Sequence, residues 1–98
     1  MNIRNFDLNL LVIFDALMRE RNVSRVADQL ALSQPAISNA LNRLRSLLDD
    51  QLLIRTAQGM QPTALALSLE GPIREAIQQI ETRYWKKAQS LMRVYWHR

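Results

Sequence analysis

Four side chains between residues 34 and 42 carry hydrogen-bonding groups without charge: Gln34, Ser38, Asn39 and Asn42. Their spacing places them on one face of a helix. An amide donates and accepts at once, which suits an adenine edge, and a hydroxyl can do either. Pro35 and Ala36 are small enough for close approach and apolar enough to touch a thymine methyl. No acid occurs from Leu30 to Leu48, so nothing on this stretch repels a phosphate. An ordinary solvated helix face has the same look, and the polar stripe alone does not choose between the two.

Other chemistries are poorly served. The chain has no cysteine and one histidine, His97, so neither a thiolate nor a histidine metal cluster can be assembled. It contains no nucleophile–base pair and no glycine-rich phosphate loop, and Asp49-Asp50 reads as a helix end with solvated acids. No enzyme activity and no cofactor are expected. The longest apolar run, Leu10 to Phe14, is far too short to span a membrane. The opening MNIRNFDLN carries an early acid and no apolar signal core, so a cytoplasmic protein is expected.

Basicity is a poor guide here. The formal charge of +4 arises from Arg83, Lys86, Lys87, Arg93 and Arg98, whereas residues 1–81 hold eight arginines against nine acids. A nucleic-acid argument must therefore rest on where individual residues sit.

The elements that would position the polar stripe follow from periodicity. Two glycines and three prolines in 98 residues, with no alternating polarity, predict a mainly helical chain of one domain. Asp7 can cap a first helix, with Phe6 and Leu11 as a hydrophobic staple and Leu10, Phe14, Leu17 and Met18 facing inward to about Glu20. Ser24 can cap a second helix over roughly 25–31, burying Val26, Ala27 and Leu30. Ser33 is placed to cap the third, with Pro35 in its first turn and Ile37, Leu41, Leu44 and Leu48 as the buried stripe. A short strand at Leu52–Arg55, a turn at Ala57–Met60 and a return strand at Gln61–Thr63 form a small hairpin. Thr63 can cap a last helix from Ala64, which Gly71-Pro72 should kink or restart. Ile73, Ile77, Ile80, Tyr84, Leu91 and Val94 keep a coiled-coil spacing if Lys87 is skipped. Three helices, a short turn and a hairpin describe a winged helix-turn-helix, although its turn at Leu32-Ser33 lacks the usual glycine.

The run VSRVADQLALSQPAISNALNRLRSLLDDQLLIRTAQGMQPTALA resembles the N-terminal DNA-binding domain of LysR-type transcriptional regulators. FDLNLLVIFDALMRERNVS and RLRSLLDDQLLIR…GMQPT are most similar to the branch holding nodulation-gene activators and regulators of aromatic degradation. The resemblance covers roughly residues 5–81. It implies a winged helix-turn-helix over 1–63, a linker helix over 64–81, and a homodimer on a partly palindromic operator in double-stranded DNA. By this resemblance Gln34, Pro35, Ser38 and Asn39, with Asn42 beside them, face bases in the major groove. Ser33, Arg43 and Arg55 contact the DNA backbone. Gln58 stands at the wing tip, where many relatives carry an arginine that enters the minor groove. Val26 replaces a usual alanine where the second and third helices meet, so a slightly wider crossing is expected. The linker helix would pair antiparallel with its twin through Leu65, Leu69, Ile73, Ile77 and Ile80, although Leu65 and Leu69 could instead pack on their own core.

Relatives continue into an effector-sensing domain of two α/β lobes, which this sequence does not contain. The expectation is a nucleoid-associated protein that binds DNA without a small-molecule effector site and without a membrane. Residues 82–98, TRYWKKAQSLMRVYWHR, match nothing expected after the linker helix: a foreign continuation, a helix extension and a basic aromatic surface segment all fit. The alternative function is a helical dimerisation module, or a decoy that forms mixed dimers with a full-length regulator.

Overall fold

The computed structural model describes residues 3–96, apart from the side chains of Ile3, Trp85, Lys86 and residues 93–96. A short 3-10 turn, Ile3–Asn5, leads into α1 (Asn9–Glu20), α2 (Val23–Leu30) and α3 (Gln34–Leu48). An antiparallel hairpin follows, β1 (Leu53–Thr56) and β2 (Gly59–Pro62), with Leu53 opposite Pro62 and Thr56 opposite Gly59. The chain ends in α4 (Ala64–Gln79), a π-helical turn (Ile80–Trp85) and α5 (Lys86–Trp96).

The core is where α1, α2, α3, the foot of the hairpin and the start of α4 meet. Phe14, Leu10, Leu17, Ile37, Leu44, Leu52, Leu53 and Val26 are its largest fully buried side chains. Each such residue contributes about 1.5–3 kcal/mol by leaving water. The third-helix stripe holds at Ile37, Leu41 and Leu44, but Ala40 is buried with them while Leu48 is 37% exposed. Leu48 instead lines an open apolar groove with Phe6, Leu8, Leu11, Leu69 and Ile73.

Caps explain most boundaries. Asp7 Oδ1 accepts the Asn9 N–H at 2.9 Å just ahead of α1, although the residue at the cap position itself, Leu8, makes no side-chain cap bond. The second helix is capped by Asn22, not Ser24: Asn22 Oδ1 accepts the Arg25 N–H at 3.0 Å, so α2 begins earlier than expected, at Val23. An Asn in extended conformation caps as well as a Ser, and it stands earlier in the chain. Ser33 and Thr63 cap α3 and α4 by accepting the N–H groups of Ala36 and Ala66, each at 3.2 Å.

At the other ends, α1, α2 and α3 stop on Arg21, Ala31 and Asp49, all left-handed with φ of 51°, 55° and 49°. The α2–α3 turn carries its left-handed step on Ala31. The Leu32 N–H reaches back to the Ala27 carbonyl at 2.9 Å, and the Ala31 N–H to Asp28 at 3.3 Å. This pair of bonds closes the helix in the same way as the glycine motif does.

Three expectations need correction. The strands lie at 53–56 and 59–62, one to two residues from where they were expected, because the left-handed step of the turn falls on Gly59 (φ 98°), the first residue of β2. Pro72 does not start a new helix; α4 continues across it. Gly71, Pro72 and Ser68 are all exposed, so the Ser68 carbonyl that loses its helical donor can turn to water. Finally, the coiled-coil spacing past Ile80 does not survive the π turn, whose wider winding shifts the phase of everything after it. Tyr84 and Leu91 are 64% and 51% exposed, and the Val94 side chain lies outside the described residues, as does His97. The unclassified 82–98 stretch continues as helix through the π turn and α5 to Trp96.

Candidate nucleic-acid interface

The interface builds outward from Ser33. Its extended backbone and its cap bond fix the start of α3, and Pro35 occupies the first turn, where no helical acceptor awaits its nitrogen. Ile37, Ala40, Leu41 and Leu44 then pin one side of α3 into the core. The opposite side is thereby turned to solvent: Gln34, Pro35, Ser38, Asn39 and Asn42 are all exposed. Ser33 uses an oxygen lone pair for its cap, which leaves the hydroxyl hydrogen for an outside acceptor.

Three of these residues line two separate hollows, whereas Ser33, Pro35 and Ser38 line neither. Gln34 opens into a cleft shared with the α2 start (Asn22, Ser24), Arg21, and the hairpin residues Arg55 and Thr56. Asn39, Asn42 and Arg43 line a second, shallower hollow with Ser46 and Leu47. Sequence reasoning missed Arg21 and Arg25. Their side chains, like that of Arg55, are exposed and have no ion-pair or hydrogen-bond partner among the described residues. Arg21 and Arg25 flank the start of α2, a signal that was readable once Asn22 was recognised as the cap.

Two arginines on α3 behave differently from one another. Arg43 stands 3.5 Å from Asp7 across the gap to the α1 start, yet is 60% exposed. Arg45, which sequence places further along the outer face, is structural. Its Nε donates to the Gln51 carbonyl at 2.8 Å and its Nη2 to the Leu53 carbonyl at 2.7 Å. Its Nη1 donates to Asn42 Oδ1 at 3.1 Å, so Asn42 offers outward mainly its amide hydrogens.

Arg45 thus straps the hairpin to α3. Asp50 fastens its other side, Oδ2 accepting from the Leu52 N–H at 2.8 Å and the Thr63 hydroxyl at 2.6 Å. Asp50 is therefore no solvated helix-end acid, as its place in the sequence suggested, but the latch between hairpin and α4. At the wing tip, the Thr56 hydroxyl donates to the Gly59 carbonyl at 2.9 Å and accepts the Gln58 N–H at 3.2 Å. Gln58 itself is exposed.

The proposed pairing residues also separate. Leu69 and Ile73 pack against their own core and are half-buried. Leu65 is 36% exposed, Ile77 is half-buried outside that cluster, and Ile80 is 53% exposed. No helix among the described residues is long and apolar enough to cross a membrane.

Residues 8–67 match the model of the bacterial regulatory helix-turn-helix protein, lysR family. The chain is 48% identical over 79 residues to the HTH-type transcriptional regulator LeuO of Escherichia coli (strain K12), covering 81% of this chain and 25% of that protein. It is equally identical over 81 residues to nodulation protein D 1 of Bradyrhizobium elkanii, covering 83% and 26%. The chain thus spans about a quarter of the length of these relatives. Its fold is shared with the DNA-binding domain of BenM in complex with catB site 1 DNA, at 21% identity and a TM-score of 0.76 over 92% of this chain and 97% of that one. LeuO is a transcriptional regulator by name, and NagR of Ralstonia sp, 48% identical over 82 residues, is a transcriptional activator. The chain belongs to the LysR family of bacterial transcriptional regulators and comprises its winged helix-turn-helix DNA-binding region.

Proposed function

We propose that this chain binds a partly palindromic operator as a homodimer, with α3 in the major groove and the hairpin beside the minor groove. The observation that carries the reading is the exposed, acid-free face of α3 flanked by Arg21, Arg25 and Arg55, whose side chains have no partner among the described residues. Gln34, Pro35, Ser38, Asn39 and Asn42 read bases, and uncharged groups suit that task because they donate and accept without gripping every sequence alike. Ser33, Arg43 and Arg55 hold phosphates, joined by Arg21 and Arg25, and Gln58 approaches the minor groove from the wing. Residues 1–63 serve as the reader and 64–81 as the pairing helix.

The apolar groove of Phe6, Leu8, Leu11, Leu48, Leu69 and Ile73 supports the dimer, because its lining is wholly apolar and it is continued along α4 by the half-buried Ile77 and the exposed Ile80. A second copy, laid antiparallel, is its occupant, with Leu65, Leu69, Ile73, Ile77 and Ile80 at the seam. The test is a mobility shift on operator and random DNA at two salt concentrations, with light scattering in parallel. Specific retardation by a dimer, and a monomer with weakened operator binding for Ile80→Glu, is the expected result. A monomeric wild type, or equal affinity for both DNAs, would refute it.

A further inference from the structure

Asp15 is the one buried charged side chain among the described residues, 8% exposed in the middle of α1. It interrupts an apolar face made by Leu10, Phe14, Leu17 and Met18. A bare carboxylate there would be costly, and both its oxygens are engaged. Oδ1 accepts from Arg74 Nε at 3.1 Å, and Oδ2 lies 3.0 Å from Arg19 Nη2. Arg19 is on the same helix and is mostly exposed, so it neutralises charge without connecting anything. Arg74 is on α4, 59 residues away in sequence, and also faces Glu70 at 3.7 Å.

The position of Arg74 gives this pair its role. It lies two residues past Pro72, where α4 has lost a helical hydrogen bond and is free to bend. Between it and the end of α4 only Ile77 is half-buried, and Gln78, Gln79 and the following Ile80 are exposed. The Arg74–Asp15 contact is thus, among the described residues, the last polar tie between α4 and the reading domain. Ile73 is held beside it by non-directional apolar packing, whereas a guanidinium on a carboxylate fixes direction.

We propose that Asp15 and Arg74 are positioning residues that set the angle of α4 against α1. Through the dimer they set the separation of the two α3 helices, and so the operator half-site spacing that the protein accepts. This rests on the homodimer proposed above. Neither residue touches DNA; each acts on where the reading face is held.

The chain has no cysteine, so one introduced spin label is clean. With Ser38→Cys labelled on α3, double electron–electron resonance without DNA gives one narrow inter-protomer distance in the parent. Adding Arg74→Met, which leaves Asp15 its Arg19 partner, broadens that distribution at least twofold, and Arg74→Lys returns most of the narrowness. On palindromes with half-sites moved by one base pair either way, Arg74→Met loses most of the parent's preference for the best spacing while binding a single half-site unchanged. The double variant Asp15→Leu/Arg74→Leu restores the melting temperature but leaves the distribution broad. Equal widths for parent and Arg74→Met, or a narrow distance in the double leucine variant, would overturn the assignment while the dimer stands. No dipolar signal in the parent would remove the homodimer and this inference with it.

Discussion

Arg45→Met separates a structural arginine from a DNA-contacting one. Methionine keeps the apolar stem while removing the guanidinium. The loss is two hydrogen bonds to the Gln51 and Leu53 carbonyls, at 2.8 and 2.7 Å, and one to Asn42 at 3.1 Å. A bond from a charged donor is worth roughly 1.5–3 kcal/mol net. Arg45 is only half-buried, so water replaces part of each bond, and a total of about 1.5–3 kcal/mol follows rather than three times that. In a domain of this size 1 kcal/mol shifts the melting temperature by about 4–8 °C, so a fall of roughly 6–24 °C is expected. Thermal unfolding followed by circular dichroism at fixed protomer concentration measures it. Affinity should fall similarly for all operators, and the slope of log affinity against log salt should stay as in the parent. Had Arg45 held a phosphate, the slope would flatten by about 0.9 with little change in melting. That opposite pattern would refute the hairpin strap.

Gln34→Ala and Ser38→Ala should each weaken operator binding by about 1–3 kcal/mol and relax preference at particular base pairs, read on a panel of substituted operators; equal losses on random DNA would argue against base reading. Arg55→Ala should flatten the salt slope by about 0.9 with an unchanged melting temperature, because its side chain has no partner to lose among the described residues. Asp7→Asn keeps an acceptor for the Asn9 N–H but releases Arg43 from its 3.5 Å neighbour, so titrations at several salt concentrations should show tighter DNA binding and a steeper slope. Asn22→Ala should cost about 1 kcal/mol in denaturant unfolding through the lost α2 cap, while Ser24→Ala should be nearly neutral.

The helices were legible because their cores are dictated by 3.6-residue periodicity and their starts by cap chemistry. Asp7, Ser33 and Thr63 stand where a free N–H needs an acceptor, and the structure uses all three. Asn22 was overlooked because Ser24 offered an equally good cap two residues later, and only backbone conformation decides between them. The same limit applied to Arg45. Spacing placed it with Arg43 on the outer face, but the curl of the chain after Asp49 brings two carbonyls within its reach. Long side chains go where acceptors are, and acceptors supplied by a loop leave no trace in helical periodicity. The exposure of Gln34, Ser38 and Asn39 follows directly from Ile37 and Leu41 being buried. Arg74's tie to Asp15 had no sequence signal beyond an acid on an apolar face.

Ala31 carries the left-handed step between α2 and α3, a place glycine would occupy without strain. Alanine adopts that conformation at some energetic disadvantage, yet it also leaves the unfolded chain fewer states to lose. The two effects oppose each other in stability but not in stiffness. Glycine at this joint would open mirror-image backbone regions to thermal excursions; a methyl group closes them. With alanine the joint between the two helices has fewer backbone states to visit than it would with glycine, and less ordering is left for an approaching duplex to impose.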